Sequence, residues 1–119
     1  MIALLSTSIL TTHGTFTFVP ATLEQARTIM SKGFTSFVGH SATAEILSEL
    51  LDMPVATSRE QYAQSHEDVA IIFKLKGRPA EGKILSRNEI EAIGYDFGVL
   101  TMIDMDALRK FEQRIGAGY

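Results

Sequence analysis

The sequence predicts an α/β fold: a single domain in which one mixed, roughly five-stranded sheet is flanked by helices. Three observations predict it. Apolar strand patterns alternate along the chain with helical patterns that carry their own caps. The chain has 119 residues, room for one domain around one core. Apolar residues make up 45% of it, enough to drive collapse.

The elements follow in order. Ile2 to Leu5 reads as a short buried strand, followed by the hydroxyl-rich segment Ser6 to Gly14. Thr15 to Val19 alternates Thr-Phe-Thr-Phe-Val, the period of a half-buried strand, and Pro20 is expected to end it. Thr22 opens a helix with Gln25 as its capping-box partner and Gly33 just past its end. Leu23, Ala26, Ile29 and Met30 form the buried stripe of that helix. Phe34 to Val38 is the next strand. A second helix, capped by Ser41 or Thr43, buries Ala44, Ile46, Leu47, Leu50 and Leu51. Residues 55 to 67 are rich in Ser, Gln and charge, and the reading there is a weak edge strand. Val69 to Leu75 is a strong apolar strand. Ser86 and Glu89 box the start of a short helix, and Tyr95 to Ile103 is the last strand. Asp104 or Asp106 caps a final amphipathic helix with Met105, Leu108, Phe111 and Ile115 on one face.

Composition removes several function classes. The net charge of −3 disfavours long nucleic acid as the ligand. Without cysteine there is no disulfide, thiol nucleophile or Cys-ligated zinc. No apolar run approaches a membrane span and no basic leader precedes the first strand, so the expected location is cytoplasmic. The charge is unevenly spread. Residues 1 to 23 carry no Asp, Glu, Lys or Arg, whereas residues 74 to 87 hold Lys74, Lys76, Arg78, Lys83 and Arg87 against Glu81 alone. Such a segment is either a solvated strand flank or a seat for a small polyanion.

Two constellations carry chemistry. His40 follows Val38-Gly39 at a strand-to-helix junction, beside the free N–H groups of a helix start, where anions collect. By position it is either a proton donor beside a phosphate or a junction residue bonded to a carbonyl. Gly77-Arg78-Pro79-Ala80-Glu81-Gly82-Lys83 is a shaped loop after a buried strand. Arg78 offers a planar fork to phosphate oxygens and Glu81 can orient it, or the two form a local surface pair. His13, His40 and His66 lack the spacing of a helical metal site. No metal and no cofactor are expected. There is no Walker A loop, dinucleotide glycine fingerprint or Gly-x-Ser-x-Gly elbow.

In this order, Leu4-Leu5-Ser6-Thr7-Ser8-Ile9-Leu10-Thr11, Val38-Gly39-His40-Ser41-Ala42-Thr43-Ala44 with Leu47, Leu50 and Leu51, and Arg78-Pro79-Ala80-Glu81-Gly82-Lys83-Ile84-Leu85-Ser86 resemble the viral ring nuclease family. These are type III anti-CRISPR proteins of archaeal viruses, phages and other mobile elements. The resemblance spans roughly residues 2 to 103. It implies a two-fold homodimer that binds cyclic tetra-adenylate at the dimer interface. It also implies metal-independent cleavage to linear products with 2′,3′-cyclic phosphate ends, which silences type III CRISPR signalling in the host cytoplasm. His40 matches the family's catalytic histidine, and Arg78 and Glu81 its functional arginine and glutamate. The implied ligand-binding residues are Ser6, Thr7, Ser8 and Thr11 in the N-terminal loop, Gly39, Ser41 and Thr43 at the helix junction, and Gly82 and Lys83. Two departures stand out: Ser6 replaces an Asn common among relatives, and residues 105 to 119 form a helical extension beyond the family pattern.

The resemblance implies a ribose 2′-OH attacking its own 3′-phosphate, with His40 protonating the leaving 5′-oxygen. Arg78 would neutralise phosphorane charge, and Glu81 would hold Arg78 or a 2′-OH. Two other readings stay open: a protein that sequesters the cyclic nucleotide uncut, and a mobile-element interaction protein acting through its C-terminal helix.

Overall fold

The computed structural model describes residues 1 to 6, 10 to 77 and 86 to 103. One five-stranded sheet organises them, with strands β1 (Ile2–Leu5), β2 (Thr15–Ala21), β3 (Thr35–Ser36), β4 (Val69–Leu75) and β5 (Tyr95–Ile103). Their order across the sheet is β2-β5-β4-β1-β3. Parallel pairing joins β1 to β3 and β4, while β5 runs antiparallel to both β4 and β2. The sheet is therefore mixed, as expected. Helices α1 (Leu23–Met30), α2 (Ser41–Leu51) and α3 (Arg87–Ile93) accompany the sheet among the described residues. None of the described helices is long and apolar enough to cross a membrane.

Strand alternation separates two cores. Leu4, Ile71, Phe73 and Phe97 face the helices and pack with Met30 of α1, Leu47 and Leu50 of α2 and Ile90 of α3. Leu5, Ala70, Ile72 and Leu100 face the opposite side, where Phe16, Phe37 and Tyr62 cover them. Both expected capping boxes form. Thr22 accepts from the Gln25 amide while the Gln25 side chain accepts from the Thr22 amide, and Ser86 and Glu89 repeat the arrangement. Arg27 lies in α1 and donates to the Leu50 carbonyl near the end of α2 at 3.2 and 2.5 Å, so it ties the two helices together.

Four expectations change. Strand β2 continues through Pro20 to Ala21. It lies at the sheet edge, where a missing N–H is tolerated. Strand β3 is only two residues long, shorter than the Phe34 to Val38 run. His40, rather than Ser41 or Thr43, is the N-cap of α2, and it makes no side-chain cap hydrogen bond. Residues 55 to 67 contain no strand. They form an irregular strap that leaves α2, bonds beside β3 through the Ser58 amide to the Val38 carbonyl at 2.8 Å, and crosses the second face. There Phe37 and Tyr62 stack with centroids 4.7 Å apart, and the buried Gln64 side chain donates to the Leu100 carbonyl at 2.8 Å. The expected helix over residues 105 to 115 lies outside the described residues.

Asp68 anchors the strap. Its carboxylate accepts from the Tyr62 hydroxyl at 2.9 Å and the Ser65 amide at 3.2 Å, and lies 3.4 Å from the Met1 ammonium. Burial alone would raise the Asp68 carboxyl; the hydrogen bonds and the ammonium outweigh it and hold the group below its ordinary value. The sign follows from a depressed carboxyl. Its stabilising contribution is present above the ordinary Asp value and is lost as pH falls through the lowered one. Asp68→Ala should therefore cost about 1–3 kcal/mol at neutral pH, by leaving the half-buried Tyr62 hydroxyl without its acceptor. Urea melts should show the gap to wild type closing below about pH 4. A gap that stays constant into acid would contradict this role.

Candidate functional site

The site forms where the parallel strands end. The chain leaves β1 at Leu5 and places Ser6 there. Beyond β3, Phe37 bonds through its amide to the Leu4 carbonyl at 3.0 Å, which holds Gly39 and His40 beside the same sheet end. Helix α2 then starts at Ser41, and the Ala44 amide closes its first turn on the His40 carbonyl at 3.0 Å. The amides of Ser41, Ala42 and Thr43 precede that first intrahelical bond, so they and the helix dipole favour an anion beside His40.

Ser6, Gly39 and His40 line one groove of about 340 Å³ with Phe37, Ser58, Arg59 and Glu60. His40 and Arg59 are both exposed, and among the described residues neither side chain has a hydrogen bond or ion pair. Arg59 is close to the junction: a Cβ built on Gly39 would lie 4.0 Å from its Cγ. The strap thus brings Arg59 to the groove that His40 lines.

Ser6 also lines a second, larger cleft of about 760 Å³. Thr43 lies on its α2 side, and Phe18, Pro20, Ile72 and Gly98 supply much of an apolar lining. The expected ligand-binding residues therefore divide. Ser6, Gly39, His40 and Thr43 come together around the two clefts, and Ser41 sits between them as the first residue of α2. Thr11 lines neither cleft. Its hydroxyl accepts from the Gln64 amide at 2.9 Å, so it pins the strap. Thr7, Ser8, Arg78, Glu81, Gly82 and Lys83 lie outside the described residues.

Sequence reasoning missed Arg59. It stands in the least patterned stretch of the chain, with no motif around it, and the bond between Ser58 and Val38 helps hold it at the site. The apolar cleft was also missed, because Phe18 and Gly98 meet only through the pairing of β2 with β5.

The model of the STIV B116-like family matches residues 2 to 97, most of the chain. The chain belongs to this family. Among similar proteins, uncharacterized protein 26 of Sulfolobus islandicus filamentous virus is 31% identical over 93 residues, covering 76% of this chain and 79% of that protein. Uncharacterized protein ORF117 of Acidianus two-tailed virus is 40% identical over 77 residues, 61% of this chain and 66% of that one. Uncharacterized protein YddF of Bacillus subtilis is 28% identical over 106 residues, 87% of this chain and 98% of its own. The solved structure of B116 from Sulfolobus turreted icosahedral virus superposes with a TM-score of 0.70 over 83% of this chain and 97% of that one, at 19% identity. That likeness extends to the fold.

Proposed function

We propose that this B116-like protein is a metal-independent ring nuclease that binds cyclic tetra-adenylate between two subunits and opens it. The observation that carries the proposal is the convergence of Ser6, Gly39, His40 and Arg59 on one groove beside the start of α2. An imidazole, a guanidinium and open helix amides suit a phosphodiester.

The reaction is internal transesterification. A ribose 2′-oxygen bonds to its own 3′-phosphorus and loses its proton to solvent, while the bond from phosphorus to the 5′-oxygen breaks. His40 gives its proton to that 5′-oxygen and is reprotonated from water. Attack is intramolecular, so the protein's main task is to hold the hydroxyl, phosphorus and leaving oxygen in line. Arg59 supplies a cation on the strap side. Arg78 neutralises charge on the phosphorane and Glu81 orients it. Arg78→Ala should lose far more rate than Lys83→Ala; equal losses would mean diffuse charge in place of a directed contact.

Removal of the messenger would switch off type III CRISPR signalling. Incubation with cyclic tri-, tetra- and hexa-adenylate in chelator, with chromatography of the products, tests the reading. Linear oligoadenylates from the four-membered ring are expected. Thermal stabilisation by an intact ring would indicate sequestration instead, and no stabilisation by any ring would contradict nucleotide binding.

A further inference from the structure

We propose that the large cleft beside Ser6 is a nucleobase seat, with Phe18 as its stacking platform. The register explains how the platform is built. Phe18 pairs with Leu100 across the strands and Pro20 pairs with Gly98, so the Phe18 ring leans diagonally over Gly98. A Cβ at Gly98 would fall 2.3 Å from two carbons of that ring. The Cε1–Cζ edge of the ring therefore sits close over bare backbone, a fit that glycine allows and any side chain would spoil. Phe18 remains 49% exposed, an unusual state for a phenylalanine inside a concave, largely apolar surface.

The occupant must be flat, apolar on its faces and polar at its edge. The cleft volume of about 760 Å³ accommodates a nucleotide. Its rim carries Lys74 and Asp96. Lys74 is exposed there, a cation of the kind that pairs with a phosphate. Asp96 lies 3.8 Å from Lys76 and is largely exposed, which leaves acceptor capacity for an exocyclic amine. Ser6 lines both this cleft and the His40 groove, so one ligand can span them. A base held on Phe18 would place an adjoining phosphate towards Ser6 and His40. The seat is argued here for adenine, and to that extent it rests on the ring-nuclease reading.

The test compares Phe18→Ala, Phe18→Tyr and Gly98→Ala with wild type, after thermal melts establish that each variant folds. Loss of an aromatic stacking partner should weaken cyclic tetra-adenylate binding about 5- to 150-fold in Phe18→Ala. Phe18→Tyr should bind as wild type does. Gly98→Ala displaces the ring and should follow Phe18→Ala. Adenosine 5′-monophosphate, titrated into labelled wild-type protein, should shift the amide resonances of Gly98 and Lys74. If wild type cuts the ring and Phe18→Ala binds it equally well, the base seat is wrong and the function stands. If the monophosphate shifts Gly98 while the ring is neither bound nor cut, the seat stands and the ring-nuclease reading fails. If Phe18→Ala breaks up a dimer in light scattering and the monophosphate shifts nothing, the cleft is a subunit contact and the proposal is overturned.

Discussion

His40→Ala is expected to lose about 10²- to 10⁴-fold of the ring-opening rate, the range for removal of a positioned proton donor. Folding should be unchanged. His40 is exposed, makes no side-chain cap hydrogen bond and lies outside both cores. Binding should also persist, since the amides at the start of α2 are backbone groups that the substitution leaves in place. The expected signature is thus a fall in kcat with little change in KM. Equal activity in His40→Ala would remove the histidine from the mechanism. A fall in melting temperature matching the loss of activity would reduce it to a structural junction.

Arg59→Ala is expected to weaken binding of cyclic tetra-adenylate by about 10- to 100-fold, as loss of one charge-assisted contact predicts. Arg59 shares the groove with His40, and among the described residues it has no ion pair to satisfy it. Its removal should cost affinity more than turnover, the opposite pattern to His40→Ala. Arg59→Lys should recover only part of the loss, because an ammonium cannot present the planar fork. Unaltered affinity in Arg59→Ala, measured by calorimetry at moderate salt, would make it an ordinary surface cation.

Much of the fold was legible because its signals are local. Thr22 with Gln25 and Ser86 with Glu89 are complete within four residues, and both boxes form as read. The apolar runs of β1, β4 and β5 keep the boundaries assigned from sequence. The errors arise where tertiary position overrides local preference. Pro20 breaks a central strand but is tolerated in β2 because that strand is at the edge. Ser41 is a strong capping residue, yet the backbone turns one residue earlier and gives the cap to His40.

The candidate site divides in the same way. Gly39 and His40 could be placed from the switch between strand and helix patterns. Thr11 looked equivalent to Ser6, but its hydroxyl serves the strap, and only the contact with Gln64 reveals this. Arg59 could not be placed at all, since an irregular strap has no period to read. Its position depends on Asp68 and Tyr62 at one end and on the Ser58–Val38 bond at the other.

The most direct test of the central claim is mass analysis of the products from cyclic tetra-adenylate incubated with the protein in chelator and ¹⁸O-labelled water. Transesterification assisted by His40 predicts linear products whose summed mass equals that of the ring, with 2′,3′-cyclic phosphate ends and no ¹⁸O incorporated. Products carrying ¹⁸O from the first turnover, or a ring left intact, would contradict it.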